Sequence, residues 1–143
     1  MNKSVSHKAD IWIAQLGWTA LRGQMPLGDG PVEFRIIAPW CPDCVDWGPE
    51  IASNLPGDGR AVFLVGEFAL ASEILAYAER HWPSGLPVLH GTSEKSEIAR
   101  ISARFRQMRA AFGDARKWGV PTVIQGHLFN GRLLVENLFD PSA

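Results

Sequence analysis

The stretch Val32-Glu33-Phe34-Arg35-Ile36-Ile37-Ala38-Pro39-Trp40-Cys41-Pro42-Asp43-Cys44 decides the fold. Its first half, Val32 to Ala38, reads as a strand with Phe34, Ile36 and Ile37 as apolar members. Its second half holds both cysteines of the chain, in a Cys-x-x-Cys pair. Pro42 suits the first turn of a helix, where its missing N–H leaves no bond unmade. The stretch therefore predicts a strand that runs straight into a helix, with Cys41 at the junction.

That placement carries chemistry. Unpaired N–H groups at a helix start stabilise an anion, and a thiolate is an anion. The Cys41 pKa is expected to fall below the free-thiol value of about 8.5. Cys44 lies one turn further in, able to reach Cys41 but more shielded. Cys41 would attack a disulfide and form a mixed disulfide, and Cys44 would then release the reduced substrate. Asp43 between them disfavours the thiolate, which points to a reductant rather than a strong oxidant. Asp43 also suits a helix N-terminus on structural grounds alone. Two other readings stand beside the redox pair. The cysteines could be half of a metal site, or inert buried residues. A structural zinc would need two of His7, His81, His90 and His127, and no pair of them has the usual spacing.

The rest of the chain bounds the answer. Its 143 residues fit a single domain spanning 1–143, and 46% apolar content can build a core without staples. A formal net charge of −1 gives no electrostatic case for nucleic acid or an anionic membrane as partner. The start MNKSVSHKAD shows no apolar run with a cleavage site, and Ile11 to Leu21 is too short to cross a bilayer. The expected location is cytoplasmic, where a close cysteine pair is more often catalytic or metal-binding than a structural disulfide. The sequence has no phosphate-binding glycine loop, Gly-x-Ser-x-Gly or His-Glu-x-x-His.

Outward from the motif, a helix is expected over about residues 7–22, with Ile13, Leu16, Ala20 and Leu21 facing inward and Gly23 as its stop. Turn formers crowd Gln24 to Pro31. Ala61 to Phe68 is a nearly continuous apolar run, as a strand buried on both faces should be. Ala69 to Trp82 has helical composition, and Val88 to His90 fits either a short strand or a loop. Ser93 to Phe112 reads as a helix capped by Ser93, with Ile98, Ile101, Phe105, Met108 and Phe112 on one stripe. Strands at Pro121–Phe129 and Arg132–Asn137 flank the hairpin turn Asn130-Gly131.

Several features besides the cysteines fall in a familiar order. Trp40 directly precedes Cys41. Pro49 follows within the next helix. Gly119-Val120-Pro121-Thr122 precedes a strand, and Asn130-Gly131 turns the last hairpin. In these the chain resembles the thioredoxin superfamily, and its WCPDC motif resembles that of small thioredoxin-related reductases. The resemblance implies an α/β thioredoxin-like fold, a central mixed sheet flanked by helices. It implies a cis Pro121 beside Cys41, with the Val120 backbone free to pair with an extended substrate. Trp40, Pro42, Asp43, Val120 and Pro121 would form the substrate surface. The implied activity is thiol–disulfide exchange with no bound cofactor and no metal. The implied partners are a disulfide-bearing protein or small molecule and an external reductase or thiol.

Three departures follow. Arg35 stands six residues before Cys41, where the family carries a buried Asp that moves the second thiol's proton. That task would pass to Asp43, Glu67 or water, although Glu67 at its strand end also reads as solvated. Arg35 keeps open a second reading, a binding module with weak or no redox activity. The interval from Cys41 to Pro121 is longer than the family needs, so an extra helical insertion is expected before the cis-proline strand. The chain has no room after its last strand for the usual C-terminal helix. A bare sheet face would then need that inserted helix or a second subunit, leaving monomer or homodimer. Finally, Arg100, Arg104, Arg106, Arg109, Arg116 and Lys117 read as a solvated basic face or a docking surface for an acidic partner.

Overall fold

The computed structural model describes residues 6–25, 28–116 and 119–143. Pro26 and Leu27 of the predicted turn, and Lys117 of the basic run, lie outside the described residues. A seven-stranded mixed sheet forms the centre, in the order β1-β7-β6-β3-β4-β5-β2. Strand β3 (Gly30–Ile37) lies at its middle, parallel to β4 (Ala61–Gly66) and antiparallel to β6 (Thr122–Phe129). β4 pairs in parallel with β5 (Val88–His90), so the ambiguous segment is a strand. β6 and β7 (Arg132–Phe139) make the expected hairpin, with Asn130 at φ 50° and Gly131 at φ 79° in its turn.

Helices α1 (Pro42–Trp47) and α2 (Ala71–His81) bridge the parallel strands. They pack together on one face, where the Tyr77 hydroxyl donates to the Cys44 carbonyl at 2.7 Å. Helix α3 (Lys95–Ala110) returns the chain from β5 to β6 across the other face. There Phe105 stacks on Trp18 at 6.3 Å, and Trp18 rests against Phe34 of β3 at 4.7 Å. Its N-cap is Glu94, not Ser93; the Glu94 N–H is taken by the Thr92 hydroxyl at 3.0 Å.

The first predicted helix does not form. Residues 7–22 give two short strands at opposite edges of the sheet. β1 (Ala9–Trp12) pairs with β7, and β2 (Thr19–Arg22) pairs with β5. Between them a single 3-10 turn (Ile13–Leu16) ends at Gly17, which adopts φ 69°. The reason is visible in the burial: Ile11 and Ile13 face inward alternately with exposed Trp12 and Ala14, a period of two that belongs to strands. Buried Leu16 and Trp18 then carry the chain beneath the sheet to the far edge.

The predicted bare face is covered differently on its two sides. Helix α3 covers the apolar side of the central strands. On the opposite side, β6 and β7 present polar groups beyond α1. Arg35 donates to Glu33 at 2.7 Å, Gln125 to the other Glu33 oxygen at 2.6 Å, and Asn137 to Gln125 at 3.2 Å. Glu33 and Arg35 are buried at the base of this network, and Gln125 and Asn137 carry it out to the surface. Arg35 also donates to the carbonyls of Ile51, Ser53 (3.0 Å) and Asn54 (3.3 Å). It therefore ties the segment after α1 to the sheet, a structural task unlike that of the family's buried Asp.

Candidate active site

Cys41 is the N-cap residue of α1, with φ −78° and ψ 125°, and Pro42 occupies the first helical turn. The six-residue helix ends at Trp47 and passes into a 3-10 turn over Gly48–Glu50. Pro49 has no N–H to continue the α-helical ladder there. The strand-to-helix junction thus holds Cys41 at the carboxyl end of β3. Cys41 is 8% exposed, and its thiol donates to the Val120 carbonyl at 3.6 Å. The Val120–Pro121 peptide is cis. Trp40, at 48% exposure, has its indole N–H on the Phe68 carbonyl at 2.8 Å, which fixes the ring at the rim. Pro42 and Asp43 are exposed on the same rim. The structure therefore brings together Trp40, Cys41, Pro42, Asp43, Val120 and Pro121, the residues that the resemblance implied.

Both cysteines are free thiols. Cys44 is fully buried one turn behind, and its sulfur accepts the Ala38 N–H at 3.5 Å. Burial above all pushes its pKa well above the ordinary thiol range; the Ala38 bond opposes this, and Cys41 and Asp43 add to it. Tyr77 is pushed up as well, first by burial and then by the two cysteines. Among the described residues no group of histidine, cysteine and carboxylate side chains is arranged to hold a metal ion.

Glu67 stands elsewhere. It is fully buried, not solvated, just beyond β4. Its oxygens accept the Trp18 indole N–H at 2.8 Å and the Thr92 N–H at 3.2 Å. Burial raises its pKa to about 7 against the pull of those two bonds. A Cβ at Gly91 would collide with this carboxyl, so any side chain there would have to displace it. Of the two proton-transfer candidates, Asp43 adjoins the thiols while Glu67 has its oxygens engaged with Trp18 and Thr92.

The basic face also resolves differently. Arg100 pairs with Glu97 at 2.9 Å on the surface. Arg109, however, is 1% exposed and donates to the Arg116 carbonyl at 2.6 Å. Arg116 turns back toward Pro121. Sequence reasoning missed Tyr77, Arg109 and Arg116 as parts of the site's frame, because no local spacing connects them to the cysteines.

No family model matches the chain, and no curated protein matches it by sequence. Solved structures do. A thioredoxin-like superfamily protein superposes with a TM-score of 0.57 at 14% identity, covering 96% of this chain and 86% of its own. A secreted disulfide oxidoreductase of Mycobacterium tuberculosis, homologous to E. coli DsbE, gives 0.43 at 15% identity over 67% of this chain. DsbF, also from that organism, gives 0.41 at 16% identity over 67% of this chain. The chain spans 60% and 61% of the lengths of these last two. With the sheet order, the Cys-x-x-Cys junction and the cis-proline loop already in place, the full-length superposition establishes that this chain has the thioredoxin-like fold.

Proposed function

We propose that the protein is a thiol–disulfide oxidoreductase working as a disulfide reductase. The observation that carries this reading is the pairing of a nearly buried Cys41 thiol, facing the Val120 carbonyl across a cis-proline loop, with a fully buried Cys44 one turn behind. Cys41 is the nucleophile and is placed to meet a disulfide laid along Val120. The extended substrate pairs with the Val120 backbone, and Trp40, Pro42, Asp43 and Pro121 border it. Cys44 then attacks the Cys41 sulfur, the Cys41–Cys44 disulfide closes, and the substrate leaves with two electrons gained.

The reducing direction rests on electrostatics. A strong oxidant of this kind stabilises its reduced form as a thiolate. Here Asp43, exposed and between the two cysteines, sets a negative charge beside the pair, where it disfavours a thiolate. The reduced pair then lacks the stabilisation that marks a strong oxidant. An external reductase or small thiol restores the dithiol, and a reducing compartment such as the cytoplasm suits that cycle. The second reading is a binding module with weak or no redox activity: Arg35, which braces the segment after α1, leaves no acid at that position to move the Cys44 proton.

The test is reduction of insulin disulfides with dithiothreitol as the electron source. The wild type should accelerate it, and Cys41→Ser should fall to the uncatalysed rate. Equal rates for the two proteins would refute the reading.

A further inference from the structure

Three pieces of chain meet behind the cis-proline loop: the turn after α3, the loop itself and the segment after β7. Asp114 of the turn accepts the Arg116 backbone N–H at 3.0 Å. It also holds the Arg116 guanidinium through Nε and Nη2, with the shortest bond at 2.6 Å. So oriented, Nη1 donates to the Pro121 carbonyl at 2.7 Å and lies 3.2 Å from Asp140. Nη2 donates also to the Thr122 hydroxyl at 2.8 Å, and that hydroxyl donates in turn to the Gly119 carbonyl at 2.5 Å. Arg109 of α3 holds the Arg116 carbonyl at 2.6 Å, and a Cβ on Gly119 would have to displace its guanidinium. The carbonyls on both sides of Val120 are thus taken by the brace, and the Val120 carbonyl faces the Cys41 thiol at 3.6 Å.

We propose that Arg116 is a positioning residue for substrate docking, the step before Cys41 attacks: it presets the backbone of the Val120–Pro121 loop in the form that an extended polypeptide substrate meets. This rests on the oxidoreductase reading and deepens it. A loop held in its binding form before the substrate arrives loses little conformational freedom on pairing, so the substrate binds more tightly. The preset depends on shape rather than on charge alone. One planar guanidinium reaches a carboxylate, a carbonyl and a hydroxyl at once, with its donors at fixed angles to one another. A lysine ammonium carries the charge but has no such fork. The Arg116 and Asp114 side chains are 27% and 13% exposed, so water competes less for this pair than for one on the open surface. A disulfide with no peptide backbone beside it meets the Cys41 sulfur but gains nothing from the preset loop.

Two substrates separate this role from a general structural one. Insulin presents peptide backbone beside its disulfides, and dithiobis-nitrobenzoate has none. Arg116→Gln should raise KM for insulin about tenfold with kcat within a few-fold, the mark of binding lost equally from ground and transition states. The same variant should release the first coloured thiolate from dithiobis-nitrobenzoate at the wild-type rate. Arg116→Lys should behave like Arg116→Gln on both substrates, because the charge stays and the fork is lost. Thr122→Val removes the hydroxyl that links Arg116 to Gly119. It should raise the insulin KM by a smaller factor, and it carries the test if Arg116→Gln fails to fold. An unchanged insulin KM in the folded variant, equal losses on the two substrates, or an Arg116→Lys protein indistinguishable from wild type would each overturn the proposal. The oxidoreductase reading would survive all three. A wild type that reduces neither substrate would overturn that reading, and this inference with it.

Discussion

Two buried acids sit near the carboxyl ends of neighbouring central strands, Cys44 after β3 and Glu67 after β4. Burial raises the pKa of both. Their surroundings then separate them. Cys44 lies against a second thiol that itself meets the cis-proline loop, with the exposed carboxylate of Asp43 close by. Glu67 meets an indole N–H and one backbone N–H, joining the segment before β2 to the loop after β5. Desolvation alone therefore makes no reaction centre. What distinguishes the Cys44 site is a partner that can exchange a bond with it, near a rim that a substrate can reach.

The comparison can be broken most directly by substitution at each site. Cys44→Ser should still be attacked and loaded through Cys41 but should stall, so that mass spectrometry shows one mixed disulfide per chain and multiple turnover disappears. Glu67→Gln should keep turnover within a few-fold. If instead Glu67→Gln stalled at the mixed disulfide, Glu67 would be the proton acceptor and the contrast would fail.

A smaller effect concerns pH and stability. The folded chain holds the Glu67 proton up to about pH 7, whereas an unfolded glutamate releases it near its ordinary value of 4.5. Between those values the folded state binds the extra proton, so each rise in pH favours unfolding. The penalty is absent below the lower value and fully present above the upper one, on the order of a few kcal/mol. Thermal melts should therefore show wild-type Tm falling from pH 5 to pH 8 relative to Glu67→Gln. Parallel Tm curves for the two proteins would mean that Glu67 is solvated or ionised throughout.

The smallest expected change is at Tyr77. Removing its hydroxyl from the Cys44 carbonyl should lower stability by about 1 kcal/mol in a urea titration of Tyr77→Phe, with turnover retained. A loss of turnover without a loss of stability would place Tyr77 in the chemistry.

Much of the site was legible because its signals are local. A strand, a proline-started helix and two cysteines within one short stretch placed Cys41, and the Asn130-Gly131 turn placed the last hairpin. The rest depends on contacts distant in sequence. Residues 7–22 carry apolar positions that fit a helix, yet the two sheet edges claim them as strands, and Gly17 in mid-run was the signal against a helix. Glu67 ends an apolar run, and its burial follows from Trp18 and from the missing side chain at Gly91, neither of which is near it in sequence. Arg109 and Arg116 belong to a basic run that periodicity assigns to a solvated face. Only the return of the chain from α3 to the cis-proline loop turns them inward.

The reduction potential of the Cys41–Cys44 pair tests the central claim most directly. Equilibration against glutathione or dithiothreitol buffers, read by alkylation of the free thiols, should place it near the thioredoxin value of about −270 mV. A value near about −120 mV, that of a strong oxidant, would show that the reduced pair is stabilised as a thiolate and would contradict the reductase account.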